Sequence, residues 1–195
     1  MKNKQILLLG SRGYVGKYLL NAIKDADIIS INHYTCDLCV QSDLKKLQKT
    51  LSSFTRIDAV INCVGKVNLK RFEEYSIEEV RELLNKNFMT VYNILKIIIP
   101  IFKKQKQGKF INVSSIRGIT GAPNRTIYSA SKFAVQGLID SLRLELKDTN
   151  IKLTNICPGK LDDSVTREDI SKTVNYLLNL SDKTYVRNII LGGTL

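Results

Sequence analysis

The chain has 195 residues, 44% hydrophobic and 25% charged, and thirty Lys+Arg against eighteen Asp+Glu leave a formal net charge of +12. At about 150 residues per domain this is a single domain over residues 1–195, long enough to bury a core without a metal or disulfide staple. The composition excludes a disordered or collagen-like chain.

No run of about 18 apolar residues occurs, the greasiest stretch being broken by Pro100, so no membrane span is expected. The first residues lead straight into a strand-like segment without a cleavage-site pattern, which makes a cytoplasmic protein the expectation. The basic groups Lys45, Lys46, Lys49 and Lys103, Lys104, Lys106, Lys109 are not interleaved with aromatics. They read as solvated helix faces, and no nucleic-acid partner is expected.

In chain order, apolar runs predict strands at 5–9, 28–31, 59–62, 109–113, 152–157 and 186–191. Helical periodicity fills the intervals at 14–24, 41–51, from Ser76 towards Lys104, 127–147 and 167–178. Ser42 is the cap candidate of the second helix, and Ser76 with Glu79 has capping-box spacing at the third. Strands alternating with long helices predict an α/β fold, a single doubly wound Rossmann domain with a mostly or wholly parallel sheet.

Directly after the first strand stands Gly10-Ser11-Arg12-Gly13-Tyr14-Val15-Gly16. Glycines there let the backbone approach a pyrophosphate, which the positive end of the next helix stabilises. The acid that would grip an adenosine 2′-hydroxyl is due about 20 residues on. That count falls on Asn32 and His33, with no carboxylate. Its absence removes repulsion against a 2′-phosphate and Arg12 adds a cation, so NADP(H) is favoured over NAD(H).

Cys36 and Cys39 have C-x-x-C spacing, but Cys63 and Cys157 stand alone and His33 is the one histidine. A structural zinc needs four convergent ligands, so reduced and mostly buried thiols are expected and no metal.

Ser115 ends a strand segment, and Tyr128 and Lys132 open a helix four residues apart on one face. A free tyrosine titrates near 10, and an adjacent ammonium favours the phenolate, moving it towards the neutral range useful for acid/base work.

With these residues the chain resembles the short-chain dehydrogenase/reductase family along its whole length. The segment 108–118 resembles the family's serine strand, and Tyr128-Ser-Ala-Ser-Lys132 its catalytic helix, with the expected 13 residues from Ser115 to Tyr128. The resemblance implies a carbonyl–alcohol oxidoreductase in which Tyr128 is the acid/base. Lys132 would lower its pKa and hold the nicotinamide ribose, Ser115 would bind the substrate oxygen, and Asn87 would hold a relay water. It further implies cofactor contacts from Asn62, Val64 and Gly65 (in place of N-A-G), from Asp37 and Leu38, and from Pro158 and Gly159. Gly192-Gly193 is similar to the family's terminus.

The chain departs from the pattern in further places, and Leu9 stands where the family has a threonine before Gly10. Its glycine spacing is three and three, only Ser164 can stand in for the threonine after Pro158-Gly159, and Gly159 to Gly192 spans 33 residues, a short lid region. A small-molecule or carrier-tethered carbonyl is the expected substrate. A homodimer or homotetramer through the long helix is implied by resemblance, although Phe133, Leu138, Leu142 and Leu146 could equally face the core. The short lid keeps a second reading open, a catalytically weak or inactive cofactor-binding regulator or scaffold on the same fold.

Overall fold

A computed structural model describes residues 4–161, 165–181 and 183–192. Among these, β1 (Lys4–Leu9), β2 (Ala26–Ile31), β3 (Ala59–Asn62), β4 (Gln107–Val113), β5 (Asn150–Pro158) and β6 (Asn188–Leu191) form one sheet. Its order is β2-β1-β3-β4-β5-β6, with every neighbouring pair parallel.

Parallel neighbours need crossover segments. These are α1 (Tyr14–Ala22), α2 (Gln41–Ser52), α3 (Ile77–Leu84), α4 (Thr90–Gln105), α5 (Thr126–Glu145) and α6 (Arg167–Asn179). Period-2 alternation divides β1 between two cores. Leu7 and Leu9 pack with Leu47 of α2, Ile98 of α4 and Ile139 of α5. Ile6 and Leu8 pack with Leu19 of α1 and Val174 of α6. The sheet is therefore covered on both faces, as the apolar runs predicted.

The strand order turns back between β1 and β3, since β2 lies on one side of β1 and β3 on the other. The loops leaving β1 and β3 part there, and a crevice opens outside the strands' carboxyl ends. At this level buried asparagines pair across the sheet. Asn62 donates to Asn112 (2.8 Å), Asn112 to Asn155 (2.9 Å), and Asn155 to Gln136 of α5 (2.8 Å). Each amide satisfies the next, which removes the cost of burying them and fixes the register where the sheet meets the site.

Two helix starts differ in outcome. Ser76 caps α3 as expected, accepting from the Glu79 N–H (3.2 Å) while the Glu79 carboxylate accepts from the Ser76 N–H (3.0 Å). Ser42 does not cap α2; Val40 occupies that position without a side-chain bond. The acidic Asp43 in the first turn supplies the favourable charge there instead, and its Oδ2 accepts the Asp37 N–H at 2.9 Å. The segment between α3 and α4 is a π-helical turn, Asn85–Met89.

Candidate active site

The first glycine loop is fixed by close packing. Gly10 has φ +76°, and a Cβ there would lie 3.0 Å from the backbone of Cys63 and Val64. A Cβ on Gly16 would meet the Gly10 carbonyl oxygen at 2.1 Å, so α1 can start this close to the loop only with glycine. Gly13 precedes α1 with no side-chain cap, which leaves the helix amides free for an anion.

A cavity of about 350 Å³ lies beside this loop, lined by Gly10, Arg12, Gly13, Asn32, His33, Asp37, Leu38, Cys63, Val64, Gly65, Lys86 and Thr90 among others. At its mouth the Arg12 guanidinium lies 4.9 Å from the Tyr34 ring centroid, and His33 stacks on Tyr34 at 3.8 Å. The Asn32 carboxamide is spent on the following turn, accepting the Tyr34 N–H at 3.0 Å. The Asp37 carboxyl is held below the usual range by the Cys39 N–H and by Lys86, whose ammonium lies 3.0 Å away.

Other sequence candidates do not line this cavity. Ser11 is buried and its hydroxyl donates to the Ile31 carbonyl (3.3 Å). Tyr14 is exposed and turns towards Arg167, 4.5 Å from its ring, and neither Val15 nor Gly16 contributes to the wall. Asn62 acts one residue back, with its Oδ1 accepting the Val64 N–H at 3.2 Å. Pro158 and Gly159 lie beside β6, where the Gly159 N–H donates to the Leu191 carbonyl (2.9 Å). Ser164 and Gly193 lie outside the described residues.

The four candidate catalytic residues come from the π-helical turn, the end of β4 and the first turns of α5. The extra residue of the π turn carries Asn87, which is 1% exposed. Its Nδ2 donates to Ser131 Oγ (2.9 Å) and to the Lys66 carbonyl (2.9 Å), and its Oδ1 accepts the Lys66 N–H (2.7 Å). A Cβ on Gly65 would touch both Lys132 Nζ (3.2 Å) and Asn87 Oδ1 (3.5 Å), so Gly65, Asn87 and Lys132 share one small space. Lys132 Nζ lies 5.8 Å from the Tyr128 ring centroid, and Ser115, whose Oγ accepts the Arg117 N–H at 3.1 Å, also acts on the Tyr128 phenol.

Electrostatics corrects one expectation. Burial raises the Tyr128 phenol above its ordinary value, against the opposing pulls of the Ser115 hydrogen bond and of Arg125 and Arg117. Burial outweighs any pull of Lys132 on the resting phenol, and it also pushes the Lys132 ammonium down to about 8. The Cys63 and Cys157 thiols beside it are pushed up to about 12 and about 11 by their own burial. All four cysteines are free; Cys36 and Cys157 are buried, Cys39 and Cys63 half-buried.

Ser131, Lys86 and Arg125 were not among the expected site residues, since nothing in their spacing separates them from ordinary helix and loop residues. Of the apolar residues named on the long helix, Leu138, Leu142 and Leu146 pack against the core and only Phe133 stands well exposed, at 45%.

Residues 2–175 match the family model of short chain dehydrogenases. The chain is 38% identical over 120 residues, 62% of its length, to a 3-ketodihydrosphingosine reductase of Bacteroides thetaiotaomicron, of which the match covers 45%. It is 28% identical over 149 residues, 75% of its length, to a 3-oxoacyl-[acyl-carrier-protein] reductase of Thermotoga maritima, of which 61% is covered. The chain thus spans about half the length of the curated relatives it matches. A solved alcohol dehydrogenase from Thermococcus sibiricus, complexed with 5-hydroxy-NADP, superimposes with a TM-score of 0.84 at 19% identity, covering 97% of this chain and 96% of that one.

Proposed function

Because the chain belongs to the short-chain dehydrogenase family, we propose that it is an NADP(H)-dependent reductase or dehydrogenase that interconverts a carbonyl and an alcohol. The observation that carries this is the meeting of Asn87, Ser115, Tyr128 and Lys132 at the carboxyl edge of the sheet, beside a cavity of nucleotide size. A nicotinamide cofactor would supply the hydride. The residues present fit one. The loop from Gly10 to Gly16 leaves backbone space and free helix amides for its phosphates, and Val64, Gly65 and Leu38 wall the space beyond.

Arg12 and His33 at the cavity mouth, and the lack of a carboxylate at Asn32, support a 2′-phosphate and hence NADP(H) over NAD(H). In the reducing direction Tyr128 gives its proton to the carbonyl oxygen, and its raised pKa keeps that proton available through the neutral range. The Ser115 hydroxyl, which acts on the phenol, would donate to the same oxygen as charge grows on it. Lys132, charged below about 8, stabilises the developing phenolate. Asn87 is a positioning residue. Anchored to the Lys66 backbone and Ser131, it keeps the space beside Lys132 open.

A small-molecule carbonyl acted on in the cytoplasm by a self-associating chain completes the reading, with Phe133 and Leu144 as the exposed apolar residues of α5. The test follows NADPH consumption with a panel of small ketones, comparing the wild-type chain with Tyr128→Phe. Turnover lost with NADPH binding kept is the expected outcome. Equal turnover by the variant would refute the role of Tyr128, and tight cofactor binding with no turnover of any carbonyl would favour the regulator reading.

A further inference from the structure

A second cavity, of about 340 Å³, opens where the segment after β3 meets the segment before α5. The two segments are joined by the Lys70 N–H, which donates to the Asn124 carbonyl at 3.1 Å. The walls hold Lys70, Arg71 and Arg125 against a single carboxylate, Glu74. The Lys70 ammonium is committed to Glu79 at 2.5 Å, and the Glu74 carboxylate accepts the Arg71 backbone N–H at 3.1 Å.

The guanidinium groups of Arg71 and Arg125 have no hydrogen-bond or ion-pair partner among the described residues. Arg125 also occupies the N-cap of α5, a helix of 20 residues, and gives it no side-chain cap, so the first amides of that helix are open on the same side. Arg125 is three residues before Tyr128, at the same end of α5.

We infer that this cavity is an anion subsite of the active site, in which Arg125 and Arg71 receive a carboxylate or phosphate group carried by the carbonyl substrate. A planar guanidinium pairs with such a group through two parallel hydrogen bonds, and two of them beside an uncapped helix start favour an anion over a neutral or cationic group. The Arg125 cation also acts on the Tyr128 phenol, pulling against the rise that burial causes. Glu79 and Glu82 of α3 are engaged with Lys70 and Lys66, so these two carboxylates do not compete for the arginines. The exposed Leu69 gives the cavity an apolar wall for the rest of the molecule.

This inference rests on the reductase reading, and its test separates the two. The full chain with NADPH is given levulinate and, in parallel, methyl levulinate, which differ by one charge. The quantity read is the ratio of kcat/KM for acid over ester, which cancels any general damage to the enzyme. The wild type is expected to prefer the acid about tenfold, and Arg125→Gln to lose most of that preference. Arg71→Gln, at an exposed side chain, is expected to lose about threefold, and it is the variant to read should Arg125→Gln fail to fold.

An ester preference in the wild type, or a ratio unchanged in both variants, overturns the subsite. If neither compound turns over, the reductase reading fails for these probes. The subsite is then judged by calorimetric titration of the NADP+-saturated protein with inorganic phosphate. Binding that weakens about tenfold in the arginine variants supports it, and no binding, or equal binding, overturns it.

Discussion

At the amino-terminal edge of the sheet, Lys109 donates to the carbonyls of Leu177, Leu178 and Leu180, and Lys4 donates to Leu178 and Asn179. These ammonium groups sit at the carboxyl end of α6, where the helix leaves its last carbonyls unpaired and its dipole is negative. At the opposite edge the guanidinium groups of Arg71 and Arg125 have no partner among the described residues, the start of α1 has no side-chain cap, and the Arg12 guanidinium rests on the Tyr34 ring. Both edges have cavities and both are basic. What separates them is whether the donors are already spent. The +12 charge of the chain is therefore a poor guide to ligands taken as a whole, and unspent donors are a better one.

Substitutions at the two edges should separate function from stability. The largest expected effect is on Tyr128→Phe at the carboxyl edge. Turnover should fall by about 10³-fold, the scale of a lost general acid, with the melting temperature little changed. NADPH oxidation and thermal denaturation of the same preparation check both halves, and a matching loss of stability would mean the phenol is structural.

Lys132→Met sharpens the contrast further. The folded-state pKa of about 8 lies below the ordinary 10.5, so the unfolded chain holds the extra proton between those values. Stability is thus gained as pH rises through that window, and the penalty is fully present below about 8. At face value it amounts to about 3 kcal/mol. The methionine variant should therefore be inactive yet more heat-stable at pH 7, with the gain shrinking towards pH 10. The same titration predicts that kcat/KM for reduction in the wild type declines as pH rises through about 8.

Lys109→Met should show the reverse pattern. Three carbonyls lose their donor, which costs about 1–3 kcal/mol of stability, while turnover per folded molecule stays the same. A denaturant melt beside an activity assay measures this, and a variant as stable as the wild type would show that the amino-terminal cations are not structural. The smallest effect is expected from Arg12→Ala, an exposed residue. Affinity for NADPH should fall about tenfold more than affinity for NADH, with no change in melting. Equal losses for the two cofactors would remove Arg12 from the 2′-phosphate.

Much of this arrangement was legible in the sequence, for identifiable reasons. The central strands announce themselves because both faces of the sheet are covered there, which gives buried apolar runs such as Ile6 to Leu9 and Ala59 to Ile61. Tyr128 and Lys132 are legible because one helix carries both at a fixed spacing. Ser115 and Asn87 needed the family pattern, since only the folded chain brings the π-helical turn and the end of β4 to α5.

The electrostatics was not legible. Residue spacing says that an ammonium stands near a phenol but not that the ammonium is buried and the phenol half-buried, and burial moves each towards its neutral form. The open guanidinium of Arg125 was equally hidden, because partners are a property of the fold. The cap on α2 misled for a local reason. The loop from Asp37 already bonds to Asp43, and the helix starts at Gln41 in consequence.

The central claim is that the carboxyl edge of the sheet is a nicotinamide-nucleotide site with its donors held in reserve. The most direct test is calorimetric titration of the purified chain with NADPH and, separately, with NADH, which needs no substrate. One-to-one binding of NADPH in the micromolar range, with NADH clearly weaker, is the predicted result. Binding of neither nucleotide would contradict the account, because the cavity, the glycine loop and Arg12 would then have no ligand in common.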